Sequence, residues 1–569
     1  MTEILIKNGF VFDPVSGIKG DKKDIAVKDG VIVESVSAAA KVIDASGMTV
    51  MAGGVDIHSH VAGAKVNVGR NFRPEDKLQA VYEPARGVRH MAGGNSVPTV
   101  FKTAYKYADM GYTTVIEAAM PPLYARHTHE EMRDTPIIDQ AALPLFGNNW
   151  FILEYLKNGE IDNASAYIAW LLRSTKGYGI KCVNPGGTEA WAWGLNCMTV
   201  NDQVPYFEIT PKEIIAGLMT VNESLHLPHS LHLHSNNLGN PGNYQTTLDS
   251  LKIAEGFKAN NNFGRDQVMH HTHIQFHSYG GTGWGDFESK GAEVMDYINK
   301  NPNITCDIGF VTLDETTTMT GDGPFEYHLS ALNHLKWANT DVEVECGSGI
   351  VPYIYSKDVY VCGVQWSIGL EMALLAKDHM RCYLTTDHPN AGPFTRYPRV
   401  MKWLMSEKAR DEVFASMKAE DKVRDRSTLG SIDRELTLYE IAMMTRAGTA
   451  KALGMGKKLG GLVPGMQADI AVYPYNPETA SDPEQIEYAF SNAKYLIKSG
   501  EIIINDSEIV SNGNKQTYWV DVKTNPSKQV EHDLREMFLK YYTVTERNYE
   551  VEEHAFMKNP NVISIDATQ

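Results

Sequence analysis

The chain has 569 residues, 43% hydrophobic and 22% charged, with a formal net charge of -17. That length exceeds one simple core and predicts two or three domains, one of them large enough for a barrel. The acidic balance disfavours nonspecific binding to nucleic acid and to anionic membrane.

No uninterrupted apolar window of transmembrane length is present, and the opening MTEILIKNGFVFDP lacks the basic start, apolar run and cleavage site of a signal peptide. Six cysteines (Cys182, Cys197, Cys306, Cys346, Cys362, Cys382) are scattered without a CxxC pair. This argues against an iron–sulfur cluster in the chain and suits a reducing, cytoplasmic setting.

Residues 1–50 read as a small β unit. Short apolar runs are split by Asn8-Gly9 and Asp29-Gly30, both hairpin signals. The middle, 51–450, alternates apolar runs (113–117, 180–183, 230–234, 382–387) with stretches of helical spacing such as 212–226 and 289–300. Strand–helix alternation over this length predicts a parallel α/β barrel, and no GxGxxG turn supports a dinucleotide-binding sheet. Segment 66–100, rich in glycine and asparagine, reads as a long loop over the barrel mouth. Strands return at 468–473 and 502–504, so 451–525 is expected to complete a composite β domain with the N-terminus. Residues 526–569 form a charged, partly helical tail that either docks on a partner or wraps this chain.

The sharpest chemical signal is Val55-Asp56-Ile57-His58-Ser59-His60. Side chains two apart on a strand point the same way, so both imidazoles reach one ion, and neutral imidazole is a good zinc ligand. Further histidines follow at His232 and His234, then at His270, His271, His273 and His277, and Asp387 ends the run Leu384-Thr385-Thr386. Groups at the C-terminal ends of successive barrel strands converge on one pocket. Lys181, between Ile180 and Cys182, is expected in a buried strand, where desolvation lowers its pKa. A neutral amine there can take up carbon dioxide and become a carbamate able to bridge two metals. A second HxH, His127 and His129, sits in polar surroundings and is read as surface or helix-start residues.

The order HxH, Lys, His, His, Asp resembles the binuclear amidohydrolase superfamily. Longer runs resemble, within it, the A-subunit family of formylmethanofuran dehydrogenases: GGVDIHSHVAGAKVNVGR at 53–70, IKCVNPGGTEAW at 180–191, LPHSLHLHSNNLGNPGNY at 227–244 and LTTDHPNAGPFTRYPRV at 384–400. The resemblance implies a (β/α)8 barrel of amidohydrolase type with a small β-sandwich domain built from both termini. It implies two zinc ions, with His58 and His60 on the first, N6-carboxylated Lys181 as bridge, His234 and His273 on the second, and Asp387 as ligand and catalytic base. His232 and His271 are the nearest competitors for the places of His234 and His273. Lys65, Arg70 and Arg396 are expected to contact anionic substrates.

The implied activity is condensation of formate with the primary amine of methanofuran, and its reverse, in the first step of methanogenesis from carbon dioxide. Implied partners are a tungsten- or molybdenum-pterin subunit that makes formate and iron–sulfur subunits, with no pterin in this chain. The alternatives are the hydrolase subunit of a formyltransferase/hydrolase complex and a stand-alone hydantoinase-like cyclic amidase.

Overall fold

Strand β1 (Glu3–Asp13) runs straight through Asn8-Gly9, where the residue pattern predicts a hairpin turn. Asn8 adopts φ 63°, and the pairing of β1 with β2 (Ile18–Lys28) slips between Ile6 and Gly9. The dipeptide therefore makes a bulge, with the Asn8 amide donating to Asp44. Asp29-Gly30 does turn the chain. Both residues have positive φ, and they join β2 to β3 (Val31–Val33) as a two-residue hairpin. The computed structural model describes residues 3–339 and 347–568; Cys346 lies outside them.

Strands β4 (Lys41–Asp44) and β5 (Thr49–Ala52) lie parallel to β1. From the other end of the chain, Ile470–Tyr473 pairs antiparallel with β5 and continues through Tyr495–Lys498, Glu501–Asn505 and Glu508–Ile509. The two ends thus share one nine-stranded sheet. Period-two alternation gives it two apolar faces. Val50, Ile470, Val472 and Ile497 join Ile4 and Ile6 in one cluster, while Met51, Ala471, Tyr473 and Leu496 point into the barrel core.

The barrel is built from β6 (Gly54–Ser59), β7 (Tyr112–Met120), β8 (Asp139–Pro144), β9 (Lys181–Val183), β10 (Leu231–His234), β11 (Met269–His271), Ile304–Asp307 and Cys382–Tyr383. Successive strands pair in parallel. Bridges Leu145↔Lys181 and Ser59↔His388 close the ring. The intervening helices carry ordinary start signals. Pro211–Ser224, for example, opens on a capping box of Thr210 and Glu213 with Pro211 in the first turn.

Two segments depart from the sequence reading. Segment 66–100 reads as loop, but helix Ala64–Phe72 opens it. Val66 packs with Val97, Met319 and Ile350, and Gly69 leaves room for Met319, whose Cε would stand 2.6 Å from an added Cβ. Met319 and Ile350 belong to an antiparallel sheet of Glu315–Thr320, Ala338–Asn339 and Gly349–Ile354. Packing against that sheet holds a helix that glycine and asparagine would otherwise weaken. The second segment, Thr517–Lys523, falls within 451–525 but pairs with β8 and with Pro560–Asp566. Tyr518, Val520 and Val522 enter the barrel core, so this strand extends the barrel side rather than the terminal sheet.

The tail wraps this chain. Helix Lys528–Tyr541 buries Val530 and Phe538, Tyr155 Oη donates to Asp533 at 2.9 Å, and Arg126 Nε donates to the Glu550 carbonyl at 2.6 Å. No helix among the described residues is long and apolar enough to cross a membrane.

Candidate metal centre

Asp56, His58 and His60 occupy every second position along β6 and its end, so they share the face that looks into the barrel. All three are buried. Asp56 accepts from Tyr107 Oη at 2.7 Å, Tyr397 Oη at 2.6 Å and the His58 amide at 3.0 Å. Burial, partly offset by those bonds, raises its pKa to about 6. His60 is held through Nδ1, 3.2 Å from Glu117 Oε1 on β7, while Glu117 Oε2 accepts the amides of Val61 and Ala62.

Asp387 lies beside these rings, next to His388, which bridges to Ser59 at the end of β6. Its Oδ1 is 2.8 Å from His58 Nε2 and 3.2 Å from His60 Nε2, and its Oδ2 is 4.0 Å from His273 Nε2. Asp387 and His273 have φ 46° and 33°, a left-handed conformation costly for residues with side chains and typical of functional sites. Gly309 backs His273 at φ 71°, where an added Cβ would meet His273 Cβ at 2.6 Å. Burial opposes ionisation of Asp387. The neighbouring His273 and His58 outweigh it and hold the carboxyl well below its ordinary range.

His234 ends β10, and its ring centroid is 4.7 Å from that of His273. Its Nε2 is 3.2 Å from Asp322 Oδ2, and burial lowers its pKa against the pull of Asp322. Lys181 opens β9 in register with His232, and its Nζ donates to Thr272 Oγ1 at 3.5 Å. Burial pushes Lys181 down to about 7, with Asp387 and Asp307 drawing it back up.

His58, His60 and His273 are thus gathered round Asp387, with His234 beside His273 and Lys181 in the fields of Asp387 and Asp307. Three triads offer ligand atoms within 4.8 Å of one another: His58, His273 and Asp387; His234, His273 and His277; and His58, His232 and Asp307. His58 Nε2 and Asp387 Oδ1, though 2.8 Å apart, are both buried without a hydrogen bond. An imidazole nitrogen and a carboxylate oxygen, buried together with no hydrogen-bond partner, are the donor types that hold a metal cation, so these residues fit one.

Lys65 is buried and donates to the Ala119 carbonyl at 2.7 Å. Burial lowers its pKa against the fields of Glu117 and Asp387. Arg70 is committed to Glu131 at 2.6 Å and Arg396 to Asp314 at 3.0 Å. His127 and His129 contact Asn67 and the Thr175 carbonyl, apart from the site. The spacing of motifs missed Asp307, Glu117 and Asp322, and did not single out His277. The three acids are each one polar residue without a patterned neighbour, whereas His277 closes the histidine cluster that begins at His270. The Thr305-Cys306-Asp307 strand end is the one signal that resembles Thr385-Thr386-Asp387.

A recess of about 20 Å³ lies against Asp387, walled by Thr318, Thr320 and Asn390 among others. It shares Phe276, Phe325 and Tyr355 with an outer cavity of about 580 Å³, which is further lined by Tyr279, Trp284 and Tyr353. The arrangement is a polar, metal-compatible floor under an aromatic antechamber.

A parallel barrel with such a floor defines a class, and the chain belongs to the Amidohydrolase family, whose model matches residues 41–504. Within that family, the whole chain is 56% identical over 569 residues to Protein FwdA of Methanocaldococcus jannaschii, covering 99% of that protein. The resemblance to formylmethanofuran dehydrogenase A subunits therefore extends over the full length. The chain is also 34% identical to the A subunit of the Fhc formyltransferase/hydrolase complex of Methylorubrum extorquens, over 94% of each chain. In a crystal structure of that organism's formyltransferase/hydrolase complex with methylofuran, one chain superposes with a TM-score of 0.89 at 32% identity, covering 99% of this chain and 100% of that one.

Proposed function

We propose that this chain makes and breaks the formamide bond of N-formylmethanofuran at a centre of two zinc ions. The observation that carries this reading is the convergence of His58, His60 and His273 on Asp387. His58 and His60 would hold the first ion, His234 and His273 the second, and carboxylated Lys181 both. Bound zinc would polarise the formyl oxygen and acidify water.

Asp387 is the proton carrier. In hydrolysis it accepts a proton as water oxygen bonds to the formyl carbon. It then delivers that proton to the amine nitrogen as the carbon–nitrogen bond breaks, leaving formate and methanofuran amine. Condensation reverses every step and releases water. His60, held by Glu117, and His273, braced by Gly309, fix the carboxylate's surroundings. The aromatic cavity would receive the body of methanofuran while the amine end reaches the recess. Lys65 is the cation best placed to meet a carboxylate near the floor, since Arg70 and Arg396 are already paired.

Amide formation in water is uphill, so a neighbouring source of formate is expected: a tungsten- or molybdenum-pterin subunit fed by iron–sulfur subunits. The relation to the Fhc protein favours a second reading, release of formate from a formyl carrier in a formyltransferase/hydrolase assembly. Co-purification with a pterin subunit decides between them.

Asp387→Asn tests the core of the proposal. Turnover of N-formylmethanofuran is expected to fall about 10²–10⁴-fold with an unchanged circular dichroism spectrum. Unaltered turnover would reject the role of Asp387, and wild-type protein that is active without zinc would reject the centre.

A further inference from the structure

Barrel interiors are ordinarily filled by branched apolar side chains. Beneath the candidate centre this barrel holds a row of buried imidazoles. His229 Nδ1 lies 2.8 Å from the Ala452 carbonyl oxygen, His229 Nε2 is 2.9 Å from His232 Nδ1, and His232 Nε2 is 3.0 Å from His58 Nδ1.

We infer that this row, anchored on Ala452, fixes which nitrogen of His58 carries the proton, and that His229 is a positioning residue for the first metal ligand. The inference rests on the metal reading above and deepens it.

The direction follows from the end of the row. A carbonyl only accepts, so His229 Nδ1 donates to Ala452. Ala452 closes the helix Gly448–Ala452, where the last carbonyls have no partner within the helix. A neutral imidazole has one N–H and one lone pair. His229 Nε2 must then accept from His232 Nδ1, and His232 Nε2 must accept from His58 Nδ1. His58 is left with its lone pair on Nε2, the atom that faces Asp387.

A second contact points the same way. Asp307 Oδ2 lies 3.4 Å from His58 Nδ1, and a carboxylate there favours a proton on that nitrogen. Asp307 is itself immobilised. It accepts from the His273 amide at 2.9 Å and Thr385 Oγ1 at 2.6 Å, and lies 3.0 Å from His270 Nε2. The partner of a ligand imidazole generally fixes its tautomer and strengthens metal binding. Here the partner is another imidazole, whose own tautomer is set one residue further away.

The test measures zinc affinity by chelator competition on the full chain, with circular dichroism as a control for folding. His229→Phe keeps the ring volume but removes the acceptor. Zinc at the first site should bind about 10–100-fold more weakly. His229→Gln restores a carbonyl acceptor toward His232 and should return affinity to within about 3-fold. A folded His229→Phe with wild-type affinity, or a His229→Gln as weak as His229→Phe, overturns the inference.

Should His229→Phe not fold, nitrogen-15 spectra of histidine-labelled, chelator-stripped wild type decide, with His58 assigned by its loss in His58→Gln. The expected pattern has a proton on Nδ1, and a bare Nδ1 refutes the row. Wild type that binds no zinc would instead sink the metal reading itself.

Discussion

Two buried lysines, Lys181 and Lys515, are both driven to about 7 by burial, yet their surroundings differ. Lys181 stands in the fields of Asp387 and Asp307 among imidazoles. Lys515 donates to the Met132 carbonyl and to Gln140 Oε1. A shifted lysine is therefore not in itself a site, and the chemistry comes from what surrounds it.

Lys515 supplies a clean pH prediction. Its folded pKa is below the unfolded value of about 10.4, so between roughly pH 7 and 10 the unfolded chain binds more protons and stability rises with pH. The contribution is at most about 1.4 kcal/mol per pH unit. Urea unfolding at pH 7, 8 and 9 should show wild type gaining stability relative to Lys515→Met over this interval. Parallel slopes would mean that Lys515 stays charged in the fold.

At this scale the sequence exposed residues that come in patterns and hid those that come singly. The HxH of β6, the paired histidines of β10 and the carboxylate at 387 were legible. Asp307 and Glu117 were not: a lone acid at a strand end has no spacing to mark it, and Asp387 stood out only through the longer run 384–400 that contains it. Spacing also could not separate His232 from His234. Both face the barrel interior, and only depth distinguishes the ring that faces His273 from the ring that props His58.

At the scale of elements, the barrel strands were readable as apolar runs, and the Asp29-Gly30 turn followed from its residues. The bulge at Asn8-Gly9 was not readable, since the same dipeptide serves either purpose and β2 decides. The placement of Thr517–Lys523 was also hidden. Its period-two pattern marks a strand but names no partner, and the choice between the terminal sheet and β8 is a long-range one.

The tail beyond that strand also commits to this chain. Phe538 and Tyr549 sit in the barrel core, and Val551 packs with Trp519 and Met557. Each such side chain contributes about 1.5–3 kcal/mol by burial. Deleting 526–569 should lower the melting temperature by at least about 5 °C and leave Thr517–Lys523 with an open edge prone to association. A truncated protein with wild-type melting behaviour would show the tail to be only a docking arm.

Over the whole molecule, the lid sheet of Glu315–Thr320 and Gly349–Ile354 and the helix Gly323–Asn333 bring Thr318, Thr320, Phe325 and Tyr353 over the floor. The inner recess has room for little more than a water-sized group, so under the proposed function selectivity for methanofuran would reside in the outer cavity. Phe325 lines both spaces, and its ring packs against Gly239, where an added Cβ would stand 2.5 Å from Cε2. With one side closed by backbone, a larger ring at 325 must grow into the passage. Phe325→Trp is therefore expected to raise KM for N-formylmethanofuran about 10-fold or more. Hydrolysis of a small formamide such as N-methylformamide, which needs only the recess, should change by less than about 3-fold. The split follows because remote binding energy is lost while the reacting groups stay in place. An equal loss on both substrates would mean that Phe325 shapes the floor rather than the passage, and an unchanged KM on the long one would place its tail elsewhere.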